Sequence, residues 1–234
     1  MQSLPLLSIV IPVFNEEDNI KLLIASIEKE LSEYSYELIF IDDSSSDASC
    51  KTIKSEGNPH TSLIALEHHK GQSSALAVGI KKARGQYIAT MDGDLQNDPS
   101  DLPKMLELIQ NEGWDMVIGF RQNRQDPFLK TMPSKIANFI IRLTTQLQIR
   151  DSGCALKVMT SKTAKELPLY GELHRFMALN AHINGARIKE VPVIHHPRVY
   201  GVSKYGLERT FKVVKDLSRI IIDHKTSRSR NVKT

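Results

Sequence analysis

Apolar residues in the first hundred positions follow two alternating rhythms. Short unbroken runs, Leu6 to Val13, Glu37 to Ile41, Ser62 to Leu66 and Tyr87 to Met91, read as buried strands. Between them the apolar spacing changes to that of one helix face. Ile20, Leu23, Ile24, Ile27 and Leu31 line such a face in a helix predicted from about Glu16 to Leu31. Further helices are predicted from about Asp47 and over Ser73 to Ala83. Strands alternating with helices predict an α/β fold with a mostly parallel sheet covered on both faces. Pro99 and Asp101 open another helix through Leu102, Met105, Leu106 and Ile109, and Trp114 to Phe120 reads as the next strand.

The second half is less regular. An amphipathic helix is predicted from about Pro133 to Leu147, with Ile136, Ala137, Ile140, Ile141 and Leu143 toward one side. Gly153 to Met159 and Ile188 to Ile194 read as strands, with a helix near Arg175 to Asn184 between them. A final amphipathic helix, Leu207 to Ile222, carries Leu207, Phe211, Val214, Leu217 and Ile221 as a stripe. No internal repeat or low-complexity linker interrupts the chain. One domain over residues 1–224 is expected, in two halves, about 1–121 and 122–224, followed by a basic tail at 225–234.

The composition fits this picture: 234 residues, 41% hydrophobic, suffice for one large core. A formal charge of +4 and a pI near 9.0 suggest anionic partners. The excess is concentrated in the tail from Lys225 to Lys233, where no aromatic residues interleave, which argues against nucleic acid. Cys50 and Cys154 lie in no metal-type spacing, and without a secretory signal a reducing cytosolic compartment is expected. No run approaches the ~20 apolar residues of a membrane span.

Four polar groups fall at predicted strand ends, where an open α/β sheet places its ligand. In Pro12-Val13-Phe14-Asn15-Glu16-Glu17, Asn15 or Glu16 could cap a helix or bind a base or ribose edge. In Asp42-Asp43-Ser44-Ser45-Ser46-Asp47, Ser46 or Asp47 could cap, yet two adjacent aspartates exceed what capping needs. Met91-Asp92-Gly93-Asp94-Leu95-Gln96 is either a turn or a cation site. Residues i and i+2 of an extended chain share a face, so Asp92, Asp94 and Gln96 could meet one hard divalent ion. Gly119-Phe120-Arg121 ends a strand on a guanidinium suited to a diphosphate, or on a plain surface arginine. Lys70-Gly71-Gln72 is a helix start or a donor contact. The pairs His68-His69 and His195-His196 point to opposite faces of extended chain, so neither pair makes one shared site.

Taken in order, Ser8 to Glu16, Ile41 to Asp47 and Met91 to Gln96 resemble the three successive signatures of family 2 glycosyltransferases of the GT-A fold, a Rossmann-like architecture. Asp151-Ser152-Gly153-Cys154 and Arg198-Val199-Tyr200-Gly201-Val202-Ser203-Lys204-Tyr205 narrow the resemblance to the polyprenyl-phosphate branch. That branch holds the dolichol-phosphate mannosyltransferases and the bacterial enzymes that glycosylate undecaprenyl phosphate. The resemblance covers about Leu6 to Asp216. It implies a nucleotide-binding half at about 1–121 and an acceptor-binding half at about 122–224. Pro12, Asn15, Glu16, Asp42 and Asp43 would hold the nucleoside, with Lys70 and Ser203 also on the donor. Asp92, Asp94 and Gln96 would hold Mg²⁺ or Mn²⁺. Arg121, Arg198 and Lys204 would face phosphate groups, and Asp94, Arg121, Arg198 and Lys204 form the expected catalytic set.

The implied reaction moves a hexose from a GDP- or UDP-sugar to polyprenyl phosphate with inversion at the anomeric carbon. The cation would stabilise charge growing on the leaving diphosphate. A phosphate monoester, with a second pKa near 6, is already a nucleophile at neutral pH and needs cations rather than a base. The loop from Arg198 to Tyr205 is a flexible surface loop or a lid over the diphosphate. A membrane surface or a membrane-anchored partner is expected, with the protein peripheral on a cytosolic membrane face. Many bacterial relatives continue into transmembrane helices beyond this region. The two amphipathic helices could pack on the core or lie on an anionic bilayer.

A nucleotidyltransferase or dehydrogenase would show a glycine-rich loop after its first strand, and Leu6 to Glu16 contains no glycine. A transferase acting on a saccharide hydroxyl needs a base, for which Glu172 and His174 are the candidates. Family 2 members of that kind often carry a Gln-x-x-Arg-Trp sequence; the single tryptophan here, Trp114, lies in no such context. The non-enzyme alternative is a sugar-nucleotide-binding scaffold subunit.

Overall fold

A computed structural model of the chain describes residues 4–122, 141, 142, 145, 147–200, 213 and 215–222. The first half follows the strand-helix alternation. Strands β1 (Leu7–Val13), β2 (Tyr36–Asp42), β3 (Thr61–Ala65) and β4 (Tyr87–Thr90) are separated by helices α1 (Glu17–Glu30), α2 (Ser49–Glu56) and α3 (Gln72–Lys82). Next come α4 (Asp101–Glu112), β5 (Met116–Arg121), β6 (Lys157–Thr160) and the short α5 (Ser161–Lys165). A 3₁₀ turn (Leu173–Phe176), α6 (Met177–Ile183) and β7 (Ile188–Val193) complete the described elements.

Among the described residues these strands form one seven-stranded sheet in the order β3-β2-β1-β4-β6-β5-β7. Strand β6 alone runs antiparallel to its neighbours. Strand alternation divides the core between the two faces. Leu7, Ile9, Ile11, Leu38 and Phe40 pack with Ile20, Leu23 and Ile27 of α1 and Leu102, Met105 and Leu106 of α4. Val10, Ile39 and Ile41 point the other way, onto Ala75, Leu76 and Ile80 of α3 and Met177 to Leu179 of α6. The inner strands β1, β2 and β4 are therefore buried on both faces, as a parallel sheet requires. α3 lies close on the sheet because Gly79 has no side chain: a Cβ there would stand 2.3 Å from Val10 Cγ1.

The amino ends of β1 and β2 close on the buried carboxylate of Glu37, paired with the exposed Arg84. Glu37 accepts hydrogen bonds from Ser8 Oγ (2.7 Å) and from the Arg84 backbone N–H (2.8 Å), Nε (3.0 Å) and Nη2 (2.8 Å). Ser8 Oγ in turn accepts from the Gly85 N–H. The carboxyl ends are left for the site, and β1, with β2 on one side and β4 on the other, marks the switch point of the strand order.

Three expectations change in the second half. The strand expected from Gly153 begins only at Lys157, because Asp151 to Ala155 turn across the sheet end, and Cys154 N–H bonds Asp151 O. The helix near Arg175 begins as the 3₁₀ turn. Of the final helix, residues 213 and 215–222 are described as helical; Leu217 is buried, and Val213, Ile220 and Ile221 pack on the α3 side of the core. That part of the stripe is core packing, while Leu207, Phe211 and Val214 lie outside the described residues. Most of the helix expected from Pro133 to Leu147 also lies outside them; Ile141 is buried in the same cluster. Among the described residues, no helix is long and apolar enough to cross a membrane.

Candidate active site

Three non-glycine residues have left-handed backbone among the described residues: Asn15 (φ 54°), Ser44 (φ 67°) and Leu95 (φ 61°). Each sits in the loop after a strand, β1, β2 and β4 respectively. Such conformations cost of order 1–3 kcal/mol and persist where surrounding contacts fix them. Here the first two loops are stitched together. Asn15 N–H donates to Ser45 Oγ (2.9 Å), Ser46 N–H to Asn15 Oδ1 (2.8 Å) and Glu16 N–H to Ser49 Oγ (2.9 Å). Glu17 N–H donates to Asp47 Oδ2 and Ala48 N–H to Glu17 Oε2. Glu16 occupies the N-cap of α1 without a side-chain cap bond, so capping is not what Asn15 and Glu16 supply. Pro12, half-buried, precedes this junction as the penultimate residue of β1.

The two aspartates after β2 have different roles. Asp43 is spent on the neighbouring loop: it accepts from Lys70 N–H (2.7 Å) and Gly71 N–H (2.8 Å) and pairs with His69 Nδ1 at 3.0 Å. Asp43, expected on the nucleoside, is thus bonded to this loop, and Lys70 is held by its backbone while its side chain is exposed. The His69 ring lies 4.4 Å from that of Phe14, centroid to centroid. Asp42 is 2% exposed; its Oδ2 accepts from Ser45 N–H (3.0 Å), and its Oδ1 is buried without a hydrogen-bond partner. Burial and the adjacent Asp42 carboxylate raise the Cys50 thiol to about 11.

After β4 the chain brings Asp92, Asp94 and Gln96 to one place. Asp92 Oδ1 accepts from Gln72 Nε2 at 2.6 Å. Asp94 is 6% exposed, its Oδ1 accepting from Gln96 N–H (3.1 Å) and its Oδ2 from Arg198 Nη2. Arg198 also reaches Gln96 Oε1 (3.4 Å) and Glu16 Oε1 (3.8 Å). It arrives on a strap that leaves β7 and runs antiparallel past the loop after β4: Asn97 bridges His195, and His196 N–H donates to Gln96 O (2.9 Å). The two histidines do point apart, His195 to Gln96 and His196 to Asp98.

Burial and repulsion from Asp94 push the Asp92 carboxyl up to about 6, against the pull of Lys157, Arg121 and Arg175. An acid pair in which Asp94 disfavours the charge of Asp92, with an amide oxygen beside it and a guanidinium already seated on Asp94, fits a hard divalent cation. Among the described residues no three His, Cys, Asp or Glu side chains cluster as a metal site, so substrate oxygens would have to complete the coordination.

Arg121 closes its fork on Asp151, Nε to Oδ2 at 2.6 Å and Nη2 to Oδ1 at 2.8 Å, both residues largely buried. It fastens the turn before β6. Lys157 was not singled out in the sequence. It is 3% exposed, donates to the Cys154 carbonyl, and burial drives its pKa down. Its signal was a lysine inside an apolar strand run. Gln72, read as part of a helix start or donor contact, bonds Asp92, and Arg175 was unassigned, since nothing local ties either to Asp92. Glu172 and His174, the candidate bases, are both committed: Glu172 to Arg175 at 3.5 Å and His174 Nδ1 to Ser73 Oγ at 2.8 Å. Ser203 and Lys204 lie outside the described residues.

The switch-point crevice, with an acidic pair and a buried aspartate at its strand ends, is the arrangement of an α/β enzyme. Comparison sharpens that class. Residues 8–166 match the family described as Glycosyl transferase family 2. The dodecaprenyl-phosphate galacturonate synthase of Rhizobium johnstonii is 40% identical over 230 residues, 94% of this chain and 68% of that protein. The undecaprenyl-phosphate 4-deoxy-4-formamido-L-arabinose transferase of Edwardsiella ictaluri is 33% identical, covering 92% of this chain and 68% of its own. The chain thus spans about two thirds of the length of these relatives. In three dimensions it resembles glucosyl-3-phosphoglycerate synthase of Mycobacterium tuberculosis bound to UDP, with a TM-score of 0.71, 17% identity and coverage of 93% and 80%. The complex of that enzyme with Mn²⁺ and UDP-glucose gives 0.70 at 18% identity, covering 96% of this chain and 79% of that one. This chain belongs to glycosyl transferase family 2, and its fold is GT-A.

Proposed function

We propose that the protein transfers a sugar from a uridine diphosphate donor to a polyprenyl phosphate, with a divalent cation at Asp92 and Asp94. The observation that carries the acceptor class is the likeness to relatives named for dodecaprenyl and undecaprenyl phosphate. A phosphate acceptor needs no base, which suits a site whose candidate bases, Glu172 and His174, bond Arg175 and Ser73.

Asp42 supports the choice of base. Its Oδ2 accepts from Ser45 N–H, and its buried Oδ1 is the one oxygen left unsatisfied. Uracil offers a single ring N–H to such an oxygen, whereas guanine offers a ring N–H and an adjacent amino group that together seek both carboxylate oxygens. Bound at Asp92 and Asp94, Mg²⁺ or Mn²⁺ would supply positive charge for the departing diphosphate. Gln72 fixes the rotamer of Asp92, and the loop stitching around Asn15 fixes the nucleoside wall. An acceptor phosphate oxygen attacks the anomeric carbon as the bond to the diphosphate breaks, with inversion. Polyprenyl phosphate resides in a bilayer, so the reaction takes place at a membrane surface on the cytosolic side. Exposed Ile222 beside Lys215 and Arg219 is suited to that contact.

The test is incubation with undecaprenyl phosphate and a panel of UDP- and GDP-sugars, with and without Mn²⁺. A lipid-linked product from a UDP-sugar is expected. Transfer to a saccharide with no lipid-linked product, or a strict demand for GDP-sugars, overturns the reading.

A further inference from the structure

We infer that Arg198 is a tethered counter-ion of Asp94, and that a divalent cation must displace it to bind. The inference rests on the reading of Asp94 as a cation ligand. Of the two Asp94 oxygens, Oδ1 is held by Gln96 N–H, and Oδ2, the one left for a cation, carries Arg198 Nη2. The same guanidinium reaches Gln96 Oε1, the third expected ligand, and Glu16 across the crevice. A metal ion bonds a carboxylate oxygen at about 2.0–2.1 Å for Mg²⁺, which leaves no room for an N–H donor on the same lone pairs. The Arg198 and Asp94 side chains are only 20% and 9% exposed, so water screens the pair little.

Arg198 is held there by the strap rather than by chance of rotamer. Ile194 N–H donates to Asp101 Oδ2 (2.8 Å), and His196 is bonded at both ends, N–H to Gln96 O and Nε2 to Asp98 Oδ2 (2.8 Å). The loop that carries the cation ligands therefore also carries the anchor of their competitor. Two consequences follow by linkage. The cation-free site is held open and neutralised by the arginine, and arrival of the cation releases that arginine into the crevice where the diphosphate lies.

The experiment is Mn²⁺ binding to the donor-free protein, followed by electron paramagnetic resonance of free Mn²⁺ at fixed ionic strength, with thermal melts to confirm folding. Arg198→Gln is expected to bind Mn²⁺ at least ten-fold more tightly than the unmodified protein. His196→Ala, which loosens the strap and leaves the arginine charge in place, is expected to bind a few-fold more tightly. In the unmodified protein, Mn²⁺ should speed tryptic cleavage after Arg198. Unchanged or weaker binding by Arg198→Gln overturns the inference while leaving Asp94 as a ligand. Tightening in Arg198→Gln with none in His196→Ala overturns it in favour of a diffuse charge effect. No Mn²⁺ bound by any of the three overturns the ligand reading and the inference with it.

Discussion

Replacing Glu37 with glutamine tests whether the buried cluster beneath the sheet stabilises the fold without serving the site. Glu37 Oε1 accepts from Ser8 Oγ and Arg84 N–H, and Oε2 from Arg84 Nε and Nη2. An amide keeps one accepting oxygen and turns an NH₂ toward donors it cannot pair with. Hydrogen bonds to charged groups contribute about 1.5–3 kcal/mol each. The two guanidinium bonds count for less, because the Arg84 side chain is 61% exposed and can turn to water. The net loss is about 2–3 kcal/mol, which for a chain of this size lowers Tm by roughly 4–12 °C. Burial pushes the Glu37 carboxyl up, but Ser8 and Arg84 outweigh it, and its pKa is lowered from 4.5. A group lowered on folding contributes its stability above the unfolded value and loses it as pH falls through the folded one. Calorimetry of both proteins should show the full Tm gap at pH 7 and a gap that shrinks below pH 4.5. UDP affinity of the folded variant should be unchanged, because the cluster lies at the opposite strand ends from Asp42. An unchanged Tm at pH 7, or a gap that widens in acid, refutes the reasoning.

Gly79→Ala should lower Tm and weaken UDP binding together. A Cβ there would be 2.3 Å from Val10 Cγ1 and 3.1 Å from Ile41 Cγ1, and overpacking of about 1–3 kcal/mol exceeds the ~1 kcal/mol gain in helix propensity. The displaced α3 also carries Gln72 and the Gly71 N–H that bond the two aspartate loops, so a stabilised variant would refute the close packing. Ser44→Gly should be neutral to stabilising by less than ~1 kcal/mol, since glycine adopts the left-handed backbone freely but loses more entropy on folding. Ser44→Val should destabilise by more than ~1 kcal/mol, and urea unfolding midpoints at constant slope separate the two. Asp94→Asn should lower Mn²⁺ affinity at least ten-fold and abolish metal-dependent turnover; full activity would remove Asp94 from the ligand set.

The first half of the fold was legible because its information is local. Val10 and Ile9 alternate, Ile20, Leu23 and Ile27 recur at helical spacing, and each loop carries its own polar group. What was hidden depends on partners distant in sequence. An apolar run such as Lys157 to Thr160 has no direction written in it, so its antiparallel insertion between β4 and β5 follows from pairing alone. Arg121 looked like a free cation at a strand end, and its partner Asp151 is 30 residues away. Arg198 reaches Asp94 across 104 residues. Asp42 and Asp43, identical in sequence terms, separate only when the loop at Lys70 folds back and occupies one of them.

Leu95 shows how such a loop is held. A leucine at φ 61° is worse off than glycine would be, by roughly 1–2 kcal/mol. Its side chain, however, packs against the core face formed with α1 and α4. Fully burying a leucine contributes about 1.5–3 kcal/mol, and partial burial still offsets much of the strain. The turn is thus fastened at its middle residue, and the residues on either side, Asp94 and Gln96, are aimed together at Arg198. A glycine would make the same turn without strain but with nothing to hold it. The loop would then sample many conformations, and each one ordered on ligand binding would reduce affinity. The strained leucine exchanges a little stability for a pre-aimed Asp94 and Gln96.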